Sequence, residues 1–243
     1  MNILGIIPAR YASTRFPGKP LVDIGGKSML QRVYEQCKKA NSLHDVIIAT
    51  DDERIAEHIS GFGGNMIMTA SNHQSGTDRC AEVITKYLGD VDVVINIQGD
   101  EPFINPKQID DLAQAFENPS VKLATMKKKI ESESDIQNPN TVKVICGNDG
   151  KAIYFSRAPI PFKRNIETTI TYYKHIGIYG YKKNILLAIT QLPASKLENA
   201  ENLEQLRWIE NGYEIAVIET AIENIAIDTP ADLARVENYL KTQ

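Results

Sequence analysis

Apolar positions follow two rhythms in the first half of the chain. Short apolar runs at 3–7, 45–50 and 92–97 read as buried strands, and 65–68 as a further strand. Between them the spacing changes to the helical i, i+3, i+4, i+7 pattern. Residues 29–40 place Met29, Leu30, Val33, Tyr34 and Cys37 on one face, and 53–60 form a shorter helix closed by Gly-Phe-Gly-Gly at 61–64. Residues 77–87 turn Cys80, Val83, Ile84 and Tyr87 inward, and 105–116 do the same with Ile109, Leu112, Ala113 and Phe116. Strands that alternate with helices need right-handed crossovers, so the pattern predicts a mostly parallel sheet.

The second half changes character. Residues 142–146 and 152–155 flank Asn148-Asp149-Gly150, a hairpin signal. A strand is expected at 172–181, helices at 182–191 and 201–211, and strands at 214–219 and 225–227. A last helix opens with Asp228 or Thr229 as cap and Pro230 in its first turn. The expected organisation is an α/β core of residues 1–130 and 214–243, with an inserted mixed α/β lobe at 131–213.

Composition narrows the function classes. A chain of 243 residues with 42% hydrophobic and 24% charged residues has the make-up of a globular protein. Its net charge of -4 speaks against a general nucleic-acid binder. Cys37, Cys80 and Cys146 form no C-x-x-C and are odd in number, which points to reduced thiols and a cytoplasmic protein. No apolar run reaches the roughly 20 residues of a membrane span, and no signal-peptide layout opens the chain.

Against that background one basic stretch stands out. Directly after the first strand, residues 8–20 carry Arg10, Arg15 and Lys19 among small residues (Ala9, Ala12, Ser13, Gly18). Open α/β sheets bind ligands at such strand exits, and clustered cations there suit a polyphosphate. The stretch matches neither the P-loop nor the dinucleotide glycine pattern. Asp100, in Gln98-Gly99-Asp100-Glu101-Pro102, follows the fourth strand and reads either as a Mg²⁺ ligand or as a turn aspartate capping local amides. Glu101 is the weaker candidate, because Pro102 turns the chain. Asp228 reads equally as a second metal carboxylate or as a helix cap. His73-Gln74-Ser75-Gly76-Thr77-Asp78-Arg79 offers free amides and a guanidinium at a helix start, suited to a base edge or to plain capping. Arg157, His175, Glu204 and Gln205 read as a carboxylate clamp with partners for sugar hydroxyls, or as structural polar residues.

Taken together, Ile-Pro-Ala-Arg-Tyr-Ala-Ser-Thr-Arg-Phe-Pro-Gly-Lys-Pro-Leu (7–21), His-Gln-Ser-Gly-Thr-Asp-Arg (73–79), Gln-Gly-Asp-Glu-Pro (98–102), Tyr-Phe-Ser-Arg (154–157), His-Ile-Gly-Ile-Tyr-Gly-Tyr (175–181), Leu-Glu-Gln-Leu-Arg (203–207) and Ile-Asp-Thr-Pro (227–230) closely resemble the 3-deoxy-manno-octulosonate cytidylyltransferases, also called CMP-Kdo synthetases. The resemblance implies a Rossmann-like nucleotidyltransferase fold and a homodimer formed in part by the second lobe. It implies the Mg²⁺-dependent reaction of CTP with the acidic eight-carbon sugar Kdo, giving CMP-Kdo and pyrophosphate for lipopolysaccharide synthesis. It casts Arg10 and Lys19, with Ala9 and Arg15, at the triphosphate. Ser75, Gly76, Arg79 and Gln98 fall at the cytidine, and Asp100 and Asp228 at the metal. Arg157, His175, Tyr179, Glu204 and Gln205 fall at the sugar acid. Lys19, Asp100 and Arg10 are the residues expected to act in catalysis. Where the family has glycine two places before the second aspartate, this chain has Ala226. Rival readings are a cytidylyltransferase for amino-Kdo or a nonulosonate, a transferase for a sugar 1-phosphate, and a non-catalytic nucleotide-binding regulatory module.

Overall fold

The computed structural model describes residues 1–12, 16–227, 229, 231–234 and 236; Arg15 and Asp228 lie outside them. β1 (Ile3–Ala9), β2 (Asp45–Thr50), β3 (Met66–Met68) and β4 (Val93–Asn96) alternate with α1 (Met29–Cys37), α2 (Glu53–Gly61) and α3 (Gly76–Lys86). Then follow α4 (Pro106–Gln114), β5 (Leu123–Lys129), α5 (Glu133–Gln137) and the β6 (Lys143–Cys146)–β7 (Ala152–Ser156) hairpin. The described elements end with β8 (Tyr173–Lys182), α6 (Lys183–Ile189), α7 (Lys196–Glu201), α8 (Gln205–Glu210) and β9 (Ala216–Glu219).

The strands order as β3-β2-β1-β4-β8-β5-β9, with the hairpin joined to β8 through β6. β1 to β4 are mutually parallel where they pair, and β9 runs parallel to β5. β8 runs antiparallel to both of its neighbours, β4 and β5. β8, the longest strand of residues 131–213, lies in the middle of the sheet, between β4 and β5.

Alternation along β1 sorts the core into two layers. Ile3 and Ile7 join Leu30 and Val33 of α1, Ile55 of α2 and Ile109 of α4 on one face. Leu4 and Ile6 join Cys80 and Val83 of α3, Leu186 of α6 and Trp208 of α8 on the other. Each fully buried aliphatic side chain contributes roughly 1.5–3 kcal/mol. Helices thus cover both faces, and polar side chains are gathered at the carboxyl ends of the strands.

Three elements differ from expectation. β5 is a central strand that hydrophobic spacing does not announce, because its second half is Lys127-Lys128-Lys129. The helix expected at 201–211 breaks at Asn202, whose left-handed φ of 52° caps α7. No strand forms at 225–227; there the Ile227 amide donates to the Asp100 carbonyl at 3.0 Å. Among described non-glycine residues only Asn202 has positive φ, so Ala226 holds an ordinary backbone.

Candidate active site

β1 and β4 end side by side, and the loops that leave them, with the start of α3, enclose a cavity of about 260 Å³. Ala9, Arg10, Lys19, Ser75, Gly76, Arg79, Gln98 and Asp100 all line it. Two strands can end this close because Gly99 has no side chain: a Cβ there would lie 2.9 Å from the Pro8 carbonyl oxygen.

The basic loop is closed at its neck. Gly18, at φ +72°, donates its amide to the Tyr11 carbonyl at 3.0 Å. The Arg54 guanidinium lies 3.3 Å from the centre of the Tyr11 ring and is paired with Asp52 at 2.6 Å. This fold of the loop brings Lys19 back to the cavity, where its Nζ donates to Asp100 Oδ2 at 2.8 Å. Arg10 stays exposed at the rim. The next carboxyl, Glu101, turns away: it is buried and accepts from Asn224 Nδ2 at 2.6 Å. Burial, reinforced by the Asp100 charge, pushes its pKa up to about 7.

The other wall is the amino end of α3. Ser75 caps it, its Oγ accepting from the Asp78 amide at 3.1 Å while Asp78 accepts from the Ser75 amide at 3.2 Å. Gly76 packs on Pro8. Arg79 is buried, its guanidinium bonded to the Thr69 hydroxyl and 3.4 Å from Asp51 Oδ1, so its charge is answered from within the protein. Behind this wall His73 pairs with Glu82. Against the effect of burial, Lys86, His73 and the Ala70 amide hold the Glu82 carboxyl down at about 2.

The residues expected at the sugar acid gather on β8 and α8. The His175 and Tyr179 rings lie 5.3 Å apart, and Trp208 stands edge-on to Tyr179 at 5.2 Å. Tyr179 pairs across the sheet with Asn96 of β4 and Thr125 of β5. Burial pushes the His175 pKa down to about 3, so its ring is neutral at ordinary pH. The Thr125 hydroxyl has carbonyl acceptors at Ile178 (2.8 Å) and Ile176 (3.1 Å), so its oxygen is left to accept from His175 Nε2–H at 2.9 Å. Glu204 accepts from the Thr77 hydroxyl at 2.7 Å. The Tyr179 hydroxyl, Gln205 Nε2 and Asn96 Oδ1 are buried with no hydrogen-bond partner. Such groups are costly to leave unpaired.

Arg157 is held differently from a free clamp. Its Nε donates to the Glu201 carbonyl (2.7 Å), one terminal nitrogen to Pro139 (3.0 Å) and the other to Asn202 (3.4 Å). One N–H on each terminal nitrogen is left after those bonds. Two ties bind this β8–α8 region to the cavity: Thr77 to Glu204, and Gln98 Nε2 to the Gly177 carbonyl at 2.8 Å.

A family model described as cytidylyltransferase matches residues 4–219. The chain belongs to the cytidylyltransferase family. It is 52% identical to the 3-deoxy-manno-octulosonate cytidylyltransferase of Bacteroides thetaiotaomicron, over 100% of both chains. It is 51% identical to that of Phocaeicola vulgatus, over 99% of this chain and 98% of the other. A solved structure titled as CMP:2-keto-3-deoxy-manno-octonic acid synthetase complexed with CTP superposes with a TM-score of 0.94 at 43% identity, covering 100% of this chain and 99% of that one.

Some polar residues of this cytidylyltransferase escape a reading by motif. Thr77 and Asn96 occupy positions that spacing assigns to the core, and both are buried. Their signal is a hydrogen-bonding side chain within an apolar stripe: Thr77 shares its helix face with Cys80, Ala81 and Ile84. Glu201, which accepts from the Ser156 hydroxyl (2.6 Å) and the Arg157 amide (2.9 Å), gives no such signal.

Proposed function

We propose that the chain transfers CMP from CTP to the anomeric hydroxyl of 3-deoxy-manno-octulosonate, releasing pyrophosphate. The observation that carries this reading is the contact of Lys19 with Asp100 on the wall of the strand-end cavity, in a chain 52% identical to an enzyme of that name. The cavity is lined with donors for a nucleotide, and the unpaired polar groups around Tyr179 and Gln205 suit a polyhydroxylated partner.

In this reading Arg10 and Lys19 bind the triphosphate and stabilise charge that builds on the departing pyrophosphate. The start of α3 and Gln98 hold the cytidine. Neutral His175, Tyr179, Glu204 and Gln205 bind sugar hydroxyls, and the two spare N–H groups of Arg157 face the acid group. Positioning supplies most of the rate, because the transfer asks little covalent chemistry of the protein. Among the described residues no three His, Cys, Asp or Glu side chains group to hold a metal unaided. Magnesium takes one or two carboxylates and completes its shell with substrate phosphates and water, and Asp100 on the cavity wall is an oxygen donor of that kind. Asp100 and Asp228 would hold it; the backbone amide of Ile227, the residue before Asp228, bonds to Asp100. When bound, the ion supplies charge neutralisation at the α-phosphate and acidifies the attacking hydroxyl.

The product serves lipopolysaccharide synthesis, and the enzyme works in the cytoplasm as a homodimer. Free Cys37, Cys80 and Cys146 accord with a reducing compartment. Exposed Ile153, Phe162 and Ile166, in the hairpin and the loop after it, support the dimer. No helix among the described residues is long and apolar enough to cross a membrane.

Pyrophosphate release from CTP over a panel of sugar acids, with and without Mg²⁺, tests the reading. Kdo with Mg²⁺ is expected to give the highest kcat/KM. Preference for another acidic sugar, for a sugar 1-phosphate, or CTP binding with no release from any of them would overturn it. Sedimentation of the same preparation is expected to give a dimer, and a monomer at working concentration would remove that part.

A further inference from the structure

Thr77 is the second residue of α3, directly after Gly76 of the cavity wall. Its side chain points the other way, into the protein, where it is 2% exposed and donates to Glu204 Oε2 at 2.7 Å. The Ser75 hydroxyl, which caps the helix, lies near enough to lower the pKa of the same carboxylate. One turn of helix therefore walls the nucleotide cavity with its backbone and holds the Glu204 carboxylate with the Thr77 hydroxyl.

We propose that Thr77 is a positioning residue for the transfer: its hydroxyl holds the Glu204 carboxylate aimed at the sugar acid, and so joins the sugar site to the nucleotide cavity through the first turn of α3. This rests on the reading of Glu204 as a sugar-acid contact.

The surroundings of Glu204 explain why a hydroxyl matters there. Burial raises its pKa above the ordinary carboxylate value, and the Thr77 and Ser75 hydroxyls oppose that rise. Asp78, on α3, adds a like charge that raises it further. Arg207, on the same helix as Gln205, pulls it down, but its guanidinium is held by Glu198 at 2.6 Å. From β8 the Tyr179 and Tyr181 phenols face it, and from α3 the Cys80 thiol. All three are raised far enough by burial to be neutral at ordinary pH. Among the described residues no cation is devoted to this carboxylate, so the two hydroxyls are its principal support. Removing one moves its pKa up, and a larger fraction is protonated at any pH near that value.

The test is Thr77→Val, which keeps the branched shape and removes the donor, beside Thr77→Ser, which keeps the donor. Hydrogen bonds to charged groups are strong enough that Thr77→Val is expected to raise KM for Kdo about tenfold or more. KM for CTP and kcat at saturating sugar are expected to change less than about threefold. The acid limb of kcat/KM for Kdo should move to higher pH by about half a unit or more. Thr77→Ser should restore both the KM for Kdo and the acid limb. A direct reading comes from protein labelled with ¹³C at glutamate carboxyls, the Glu204 resonance being the one lost in Glu204→Gln. Its titration midpoint should rise in Thr77→Val, and an unchanged midpoint overturns the proposal.

Glu204→Gln separates the two levels of the argument. If it leaves KM for Kdo unchanged, Glu204 is no sugar contact and the proposal falls with that reading. If it raises KM while Thr77→Val does not, only the role of Thr77 falls. Should Thr77→Val fail to fold, the wild-type protein still decides. Its Glu204 midpoint should coincide with the acid limb for Kdo, and a mismatch of more than about one unit overturns the proposal.

Discussion

Asp100 and Glu101 are adjacent carboxyls with opposite fates. Asp100 reaches the cavity and the Lys19 ammonium, while Glu101 is buried against Asn224 with a pKa near 7. Asp100→Asn is therefore expected to lower kcat by about 100-fold or more while CTP affinity falls less than about tenfold, because a metal-ligand interaction made in the transition state is worth several kcal/mol. Single-turnover kinetics with calorimetric CTP titration check this. Near-normal kcat would remove Asp100 from the metal role. At this scale the described nucleotide-side candidates line one cavity: Lys19, Ser75 and Asp100 are singled out by type and position, and Gln98 through the family resemblance. Motifs do not reveal how donors are already committed. Arg79 and Arg157 look like open forks in the sequence, yet Thr69 and Asp51 occupy the first, and three backbone carbonyls the second. Those partners are distant in sequence or are carbonyls common to every residue, so no motif points to them.

Among the elements, the first four strands and the first four helices fall where apolar spacing puts them; β1, β2 and β4 bury their runs and the helices bury one face, while β3 leaves Met66 and Met68 exposed. β5 is obscured by its lysines, whose long apolar stems and charged ends let the strand pass from the core to the surface. The β1–β4 contact that positions the cavity depends on Gly99. Gly99→Ala drives a Cβ to 2.9 Å from the Pro8 carbonyl, a backbone atom that cannot rotate aside. It is expected to destabilise the fold by about 1–3 kcal/mol and to raise KM for CTP, since Pro8 and Ala9 shift with the strand end. Urea unfolding with CTP titration measures both. An unchanged midpoint and KM would mean that the strand ends are less tightly joined than this.

For the whole molecule, two buried groups set opposing pH dependences. His175 holds no proton until about pH 3, whereas a histidine in the unfolded chain takes one near 6.5. Stability from this source is present above pH 6.5 and is lost as pH falls. Glu101 keeps its proton up to about pH 7, whereas an unfolded glutamate loses it near 4.5. Its contribution is full below 4.5 and is lost as pH rises through 7. Between pH 6.5 and 4.5 the two slopes, each about 1.4 kcal/mol per pH unit at most, oppose one another. His175→Gln removes the first, so its melting temperature should rise as pH is lowered from 7 to 4.5 while the wild type changes little. A scan of melting temperature against pH decides, and parallel curves for the two proteins would refute the assignment.

The position of β8 has a further consequence, in the order of synthesis. Its neighbours β4 and β5 are complete by residue 129, but the strand that separates them ends only at residue 182. A nascent chain between those two lengths carries unsatisfied edges at the centre of its future sheet, the kind of surface that captures another unfinished copy. During translation this is the interval in which the growing polypeptide most needs a chaperone, and fragments that stop within it are the ones expected to precipitate.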